Sequence, residues 1–218
     1  MNFKFRMEIS SLSDRGQDKW VVEIFELKKK KFEGFFLEIG GGDGFCNSNT
    51  FILEKYHNWK GILVEPNPKL YYKLTQNRPN CETSNQLVYE DNLELKFQVN
   101  GELSKVVNNT EKKVNNIITI KSIKLEELLD KYNAPNIIHF FSLDVEGCED
   151  KVLTKKILDK YKFMSLCIER PSTKLHQMLL ENNYVFIKSK IYDCFYLNKS
   201  FENLKDIKKK KFVDFDLK

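Results

Sequence analysis

The sequence predicts an α/β fold: a doubly wound, mostly parallel sheet with an antiparallel strand at one edge. Three observations predict it. Apolar runs of strand length alternate with segments whose apolar residues recur at helix spacing, joined by short connections. Four runs end in a carboxylate, at Glu38, Glu65, Asp144 and Glu169. The last two runs, around Tyr184 to Ile187 and Cys194 to Leu197, follow each other without a helix, as an antiparallel pair does. At 218 residues the chain is long enough to bury one sizeable core. We expect a single domain, with an N-terminal helical extension over 1–31, a core over 32–199 and a charged tail over 200–218.

Each element has its own signal. Trp20, Val21, Ile24 and Phe25 recur at helix spacing and predict a helix docked on the core. Lys28 to Lys31 reads as a solvated turn. Phe35 to Ile39 is the first strand, followed by a glycine-rich turn and a helix from about Phe51. Gly61 to Glu65 is the second strand; Asn67 can cap the next helix, with Pro68 at its first position. A third strand is expected within Cys81–Tyr89. Leu93, Leu95, Phe97 and Val99 alternate, as in an antiparallel or edge strand. Residues 100–116, polar and rich in Asn and Lys, read as a variable loop or insertion. After a strand-like Ile117–Ile120, Ser122 is expected to cap a helix carrying Leu125, Leu128, Leu129 and Tyr132. Ile137 to Leu143 is almost wholly apolar, as a strand covered on both faces is. A helix marked by Val152, Leu153, Ile157 and Leu158 leads to the strand Phe163–Ile168, and Ser172 caps the next helix. Phe201, Leu204 and Ile207 have helix spacing within the charged tail.

Composition narrows the function classes. Apolar residues make up 41% and charged residues 31%, with a net charge of +5. Only four of the 36 basic residues are arginine, at 6, 15, 78 and 170, so the arginine forks favoured by nucleic-acid readers are scarce. Nucleic acid is therefore not the expected partner. Cysteines at 46, 81, 148, 167 and 194 are odd in number and lack C-x-x-C, and with histidines only at 57, 139 and 176 no zinc pattern arises. Reduced thiols, no secretory run in Met1 to Arg6 and no 18-residue apolar stretch lead us to expect a cytoplasmic protein without a membrane span.

The chemistry centres on Glu38-Ile39-Gly40-Gly41-Gly42-Asp43-Gly44. Glycines let a backbone approach a ligand closely. The dinucleotide pattern would need a glycine at Phe45, and no proton-relay Tyr-x-x-x-Lys is suitably placed, so a nicotinamide cofactor is disfavoured. The E-x-G-x-G-x-G spacing suits S-adenosylmethionine, whose cationic methionine end an acid such as Glu38 or Asp43 can meet; Asp43 could instead cap the helix. Glu65, at the end of the second strand, is placed to accept hydrogen bonds from ribose hydroxyls. Asp144 and Glu146 lie where a methyl acceptor would come, and a carboxylate there can take a hydroxyl proton during attack. A metal on Asp144, Glu146 and Glu149 would lack histidine support, so none is assigned.

These residues resemble the FkbM-type S-adenosylmethionine-dependent methyltransferases from about Gly16 to Lys199. The resemblance rests on Gly16-Gln17-Asp18, the Glu38–Gly44 loop, Ser48-Asn49-Thr50, Glu65-Pro66-Asn67-Pro68, Lys124 to Leu129, and Ser142-Leu143-Asp144-Val145-Glu146-Gly147-Cys148-Glu149. It implies the class I, Rossmann-like methyltransferase fold and O-methylation of a sugar, glycan or related hydroxyl. By position, Gln17, Glu38, Gly40, Gly42, Asp43, Glu65, Asn67 and Asp144 would hold the cofactor. Asp144 and Glu146 would serve catalysis, while Glu146, Glu169 and Arg170 would face the acceptor. Two departures stand out: Gly41-Gly42-Asp43 replaces the family's more usual loop residues, and Arg170-Pro171-Ser172 differs where the acceptor wall would lie. A ribose 2′-O-methyltransferase of RNA and a non-catalytic binding module are the alternative readings.

Overall fold

The computed structural model describes residues 11–107, 115–202 and 204–209. The expectations for the first ten residues, for part of the 100–116 segment and for the end of the tail lie outside them.

Helix α1 (Gln17–Ile24) precedes strand β1 (Phe35–Ile39), α2 (Phe51–His57), β2 (Lys60–Val64), α3 (Pro68–Asn77) and β3 (Glu82–Ser84). An inserted stretch follows, with β4 (Leu87–Val88), β5 (Glu94–Gln98), β6 (Lys105–Val106) and β7 (Ile117–Ile123). The main chain path resumes with α4 (Leu125–Lys131), β8 (Ile137–Leu143), α5 (Glu149–Val152), α6 (Lys155–Lys160), β9 (Lys162–Glu169), α7 (Thr173–Glu181), β10 (Tyr184–Lys190), β11 (Asp193–Asn198) and α8 (Leu204–Lys209).

The main sheet runs β10-β11-β9-β8-β1-β2-β3. The pairs from β9 through β8, β1 and β2 to β3 are parallel, while β11 runs antiparallel to both β9 and β10. The strand order turns back at β1 and β8, and their carboxyl ends open the crevice where open α/β sheets bind ligands. Buried side chains cover both faces. Leu37, Ile62, Phe141 and Phe163 face a core closed by α4, α6 and α7. On the other side, Phe36, Phe140 and Phe195 meet Trp20 and Val21 of α1 and Leu53 of α2. Phe201 and Ile207, the helix-spaced residues of the tail, are buried in that second cluster.

Three expectations change. The single strand sought within Cys81–Tyr89 is two short ones, β3 in the main sheet and β4 in a second sheet. That second sheet, ordered β4-β7-β5-β6, also takes in Glu94–Gln98 of the alternating segment and Lys105–Val106 of the expected loop. Its strands are short and half exposed, so they lack the continuous apolar signature. Ser122 lies in β7 and does not cap α4: its hydroxyl donates to the Asp91 carbonyl at 2.6 Å and accepts from Leu93 N at 2.9 Å. Asn67 and Ser172 do cap, accepting from Lys69 N at 3.0 Å and Leu175 N at 3.1 Å.

Candidate active site

A cleft of about 110 Å³ opens at the carboxyl ends of β1, β2 and β8. Glu38, Gly40, Gly42, Glu65, Asp144 and Glu146 all line it, so six of the residues singled out from the sequence converge there.

The glycines play different parts. Gly40 has φ +86°, and a Cβ on it would lie 1.8 Å from the carbonyl oxygen of Asp144. That glycine is required by the adjacent β8 backbone rather than by a ligand. Gly42 also has positive φ, but a Cβ there would meet no protein atom within 4 Å and would project into the cleft. Gly42 is therefore the position where a bare backbone leaves room for a bound group.

Glu38 is buried, and its carboxylate is largely spent on protein. It accepts from Ser48 Oγ at 3.1 Å, Asn49 N at 2.8 Å and Thr50 Oγ1 at 2.5 Å. Burial raises its pKa, against the pull of Arg78 and these bonds. It thus pins the 48–50 turn to the end of β1. Glu65 takes Gly42 N at 2.9 Å on one oxygen and Asn67 N at 2.8 Å on the other. Burial pushes its pKa up to about 7, opposed by those two amides. A carboxylate oxygen has more than one acceptor site, so Glu65 keeps capacity toward the cleft.

Across the cleft, oxygens of Asp144, Glu146 and Glu169 lie within 4.8 Å of one another. Burial, and then the neighbouring Glu169, push the Asp144 carboxyl up to about 9. Burial likewise raises Glu146, again with Glu169 adding to it. Arg170 partly offsets this crowding, with Nη1 2.9 Å from Glu169 and 3.7 Å from Glu146. The Arg170 guanidinium also stacks 3.9 Å from the Tyr192 ring centre. Burial and crowding by neighbouring carboxylates thus disfavour the charged forms of Asp144 and Glu146.

Other sequence-derived candidates stand elsewhere. Asp43 is not among the cleft-lining residues; Oδ1 accepts from Phe45 N at 3.0 Å and Cys46 N at 2.8 Å, the capping alternative. Gln17 is also outside the lining and donates to Asp193 at 3.0 Å, behind the acid cluster. Asn67 is buried with its side chain committed to protein partners. Glu149, weighed as a third ligand beside Asp144 and Glu146, turns back onto Val145 N and Gly147 N at 3.2 Å each.

Two residues escaped the sequence reading. Asn49 lines the cleft; its Nδ2 donates to Ser142 Oγ at 2.8 Å, and its buried Oδ1 has no hydrogen-bond partner among the described residues. An orphan acceptor on a cleft-lining residue fits a ligand N–H, such as the amino group of S-adenosylmethionine. Arg78 is fully buried beneath the loop. Nη1 donates to Gly44 O and Ser48 Oγ, Nη2 to Thr50 Oγ1 and the Cys81 sulfur, and Nε to Glu54. Its location in an Asn-Arg-Pro-Asn turn gave no hint of this, because its partners are 24 to 34 residues away, apart from Cys81.

The strand order, the glycine loop and the strand-end acids define a class I methyltransferase fold with a cleft at the switch point. Residues 38–186 match the family described as the methyltransferase FkbM domain. The chain belongs to that family, and it is an S-adenosylmethionine-dependent methyltransferase. A search of curated proteins finds no match. Similar solved structures include a precorrin-6y C5,15-methyltransferase from Geobacter metallireducens, 11% identical over 83% of this chain and 89% of that one, TM-score 0.45. The N-terminal domain of human METTL16 is 11% identical over 82% of this chain and 66% of that one, TM-score 0.45. TrmK of M. capricolum, in complex with S-adenosyl-homocysteine, is 13% identical over 83% and 68%, TM-score 0.41. Among the described residues no helix is long and apolar enough to cross a membrane.

Proposed function

We propose that this protein methylates a hydroxyl of a sugar, glycan or related small molecule. The observation that carries the reading is the pair of cleft-lining carboxylates Asp144 and Glu146, with Glu169 within 4.8 Å of both. When bound, S-adenosylmethionine supplies an activated methyl group. A hydroxyl must lose its proton as its oxygen attacks, and a carboxylate within hydrogen-bond reach can accept it, contributing roughly 10²–10⁴-fold. Asp144 is our choice for that base. Its raised pKa makes it a stronger proton acceptor than an ordinary aspartate, and taking the proton leaves it neutral beside Glu146 and Glu169. Glu146, Glu169 and Arg170 supply hydrogen-bonding groups for neighbouring hydroxyls.

Glu65 is assigned to the ribose hydroxyls, Gly42 to close backbone approach, and Asn49 to the amino end, with Glu38 holding the Asn49 turn. The acid-rich acceptor side would repel a phosphate backbone, which favours an uncharged acceptor over RNA. Five unpaired cysteines suit a reducing, cytoplasmic setting. A labelled-methyl screen against sugars, glycans and RNA fragments tests the reading. Label entering a saccharide hydroxyl supports it; label entering RNA alone overturns it.

A further inference from the structure

The second sheet is joined to the cofactor cleft by specific bonds. Leu87 and Val88 of β4, Phe97 of β5 and Val106 of β6 line the cleft, as do Glu102 and Ser104 of the β5–β6 turn. Phe97 and Val106 are cross-strand partners, so they present one continuous apolar surface. This surface faces the β2–α3 loop, which carries Glu65.

Asn67 ties the two together. Its Oδ1 caps α3, while Nδ2 donates to the Gly101 carbonyl at 3.2 Å and to Ser104 Oγ at 3.1 Å. Ser104 in turn donates to Gly101 O at 2.6 Å and accepts from Asn100 N at 2.9 Å. The backbone amide of the same Asn67 holds Glu65 at 2.8 Å. One residue therefore fixes the Glu65 carboxylate with its main chain and the β5–β6 turn with its side chain.

We infer that the inserted sheet is the purine-binding wall of the cofactor site, and that Asn67 latches it onto the Glu65 loop. Phe97, Val106, Leu87 and Val88 offer the flat apolar surface that a purine needs, next to the acid assigned to its ribose. Cofactor entry and release then require the Asn67 contacts to Gly101 and Ser104 to open. The inference builds on the assignment of this cleft to S-adenosylmethionine and adds which part of the chain recognises the purine.

The test compares two probes by titration calorimetry on the full chain: S-adenosylhomocysteine, and 5′-methylthioadenosine, which keeps purine and ribose but lacks the amino acid. Phe97→Leu keeps an apolar side chain and removes the ring; it is expected to weaken both probes by the same factor, roughly three- to tenfold. Asn49→Ala is expected to weaken S-adenosylhomocysteine alone. A variant that is merely less well folded would not give this crossed pattern. For the latch, Ser104→Ala and Asn67→Asp (which keeps the helix cap and loses the donors) should each speed S-adenosylhomocysteine dissociation severalfold in stopped flow. Together they should speed it no more than the larger single effect. Unchanged methylthioadenosine affinity in Phe97→Leu, or dissociation rates that stay at the wild-type value in both latch variants, overturns the inference. A wild-type chain that binds neither probe would sink the assignment of the cleft itself.

Discussion

Replacing Glu65 with glutamine separates two quantities that the structure places on one side chain. Burial lifts the Glu65 carboxyl from 4.5 to about 7. The folded chain therefore holds this proton more tightly than the unfolded chain does. Stability then falls as pH rises from the unfolded pKa, near 4.5, to the folded one, near 7, and is level above it. A shift of that size corresponds to about 3 kcal/mol, or roughly 6–12 °C in melting temperature for a chain of this length. Glutamine has no such titration. It also offers one oxygen where the carboxylate meets both Gly42 N and Asn67 N, so one amide loses its partner at a cost of about 1–3 kcal/mol. That cost is the same at every pH. The difference between wild type and Glu65→Gln should thus change by about 3 kcal/mol across pH 4.5 to 7, in favour of the variant at the alkaline end. Thermal unfolding of the unliganded chains in a buffer series measures it. Calorimetry with S-adenosylhomocysteine should show affinity in the variant down roughly 10- to 100-fold, from loss of a charged acceptor. Parallel pH curves for the two proteins would refute the burial argument, and unchanged affinity would refute the ribose assignment.

Other predictions use the remaining geometry. Turnover of the wild type should climb with pH toward about 9 as the Asp144 carboxyl ionises, whereas Asp144→Asn should be flat and roughly 10²–10⁴-fold slower, with S-adenosylhomocysteine binding retained in calorimetry. Gly40→Ala should cost several kcal/mol or fail to fold, because its Cβ falls on the Asp144 carbonyl; circular dichroism melts read this. Gly42→Ala should fold with a loss of only about 1 kcal/mol from its positive φ, yet lose cofactor binding, since the methyl enters the cleft. Arg78→Lys exchanges five donors for three in a buried site and should destabilise by roughly 2–5 kcal/mol in urea unfolding, with a weakened cofactor site.

The main sheet was legible because its strands are buried on both faces. Leu37, Ile62 and Phe141 sit in unbroken apolar runs, and each run ends where the backbone must turn toward the cleft. The second sheet was legible only in parts: the two-residue β6 carries no signal, whereas the segments of β4, β5 and β7 read as strands. Nothing local states which sheet a strand joins. Within the site, Glu38, Glu65 and Asp144 were found because a strand end announces its direction. Asn49 and Arg78 lie in turns, and their importance depends on contacts formed only after folding. Ser122 is the converse case: its type and its place before an apolar stripe predict a cap, but its hydroxyl is used by Asp91 and Leu93 across the inserted sheet.

The strand-end acids look alike in sequence and diverge in use, and the backbone amides around them make the difference. Glu38 spends its oxygens on a turn, and Glu149 spends one on the amides of its own loop. Each converts a charge into local rigidity. Asp144 and Glu146 line the cleft without comparable amide support, and Glu169 adds charge beside them, so their protons are held more tightly and remain available for exchange. Glu65 is intermediate, with two amides bound and acceptor capacity still facing the cleft. A carboxylate can stabilise a loop, hold a neutral ligand through its hydroxyls or take a proton in a reaction, and the number of N–H groups already pointing at it decides among these. Under the proposed function, Glu38 and Glu65, each accepting backbone amides, serve the cofactor side, while Asp144 and Glu146 serve the acceptor side.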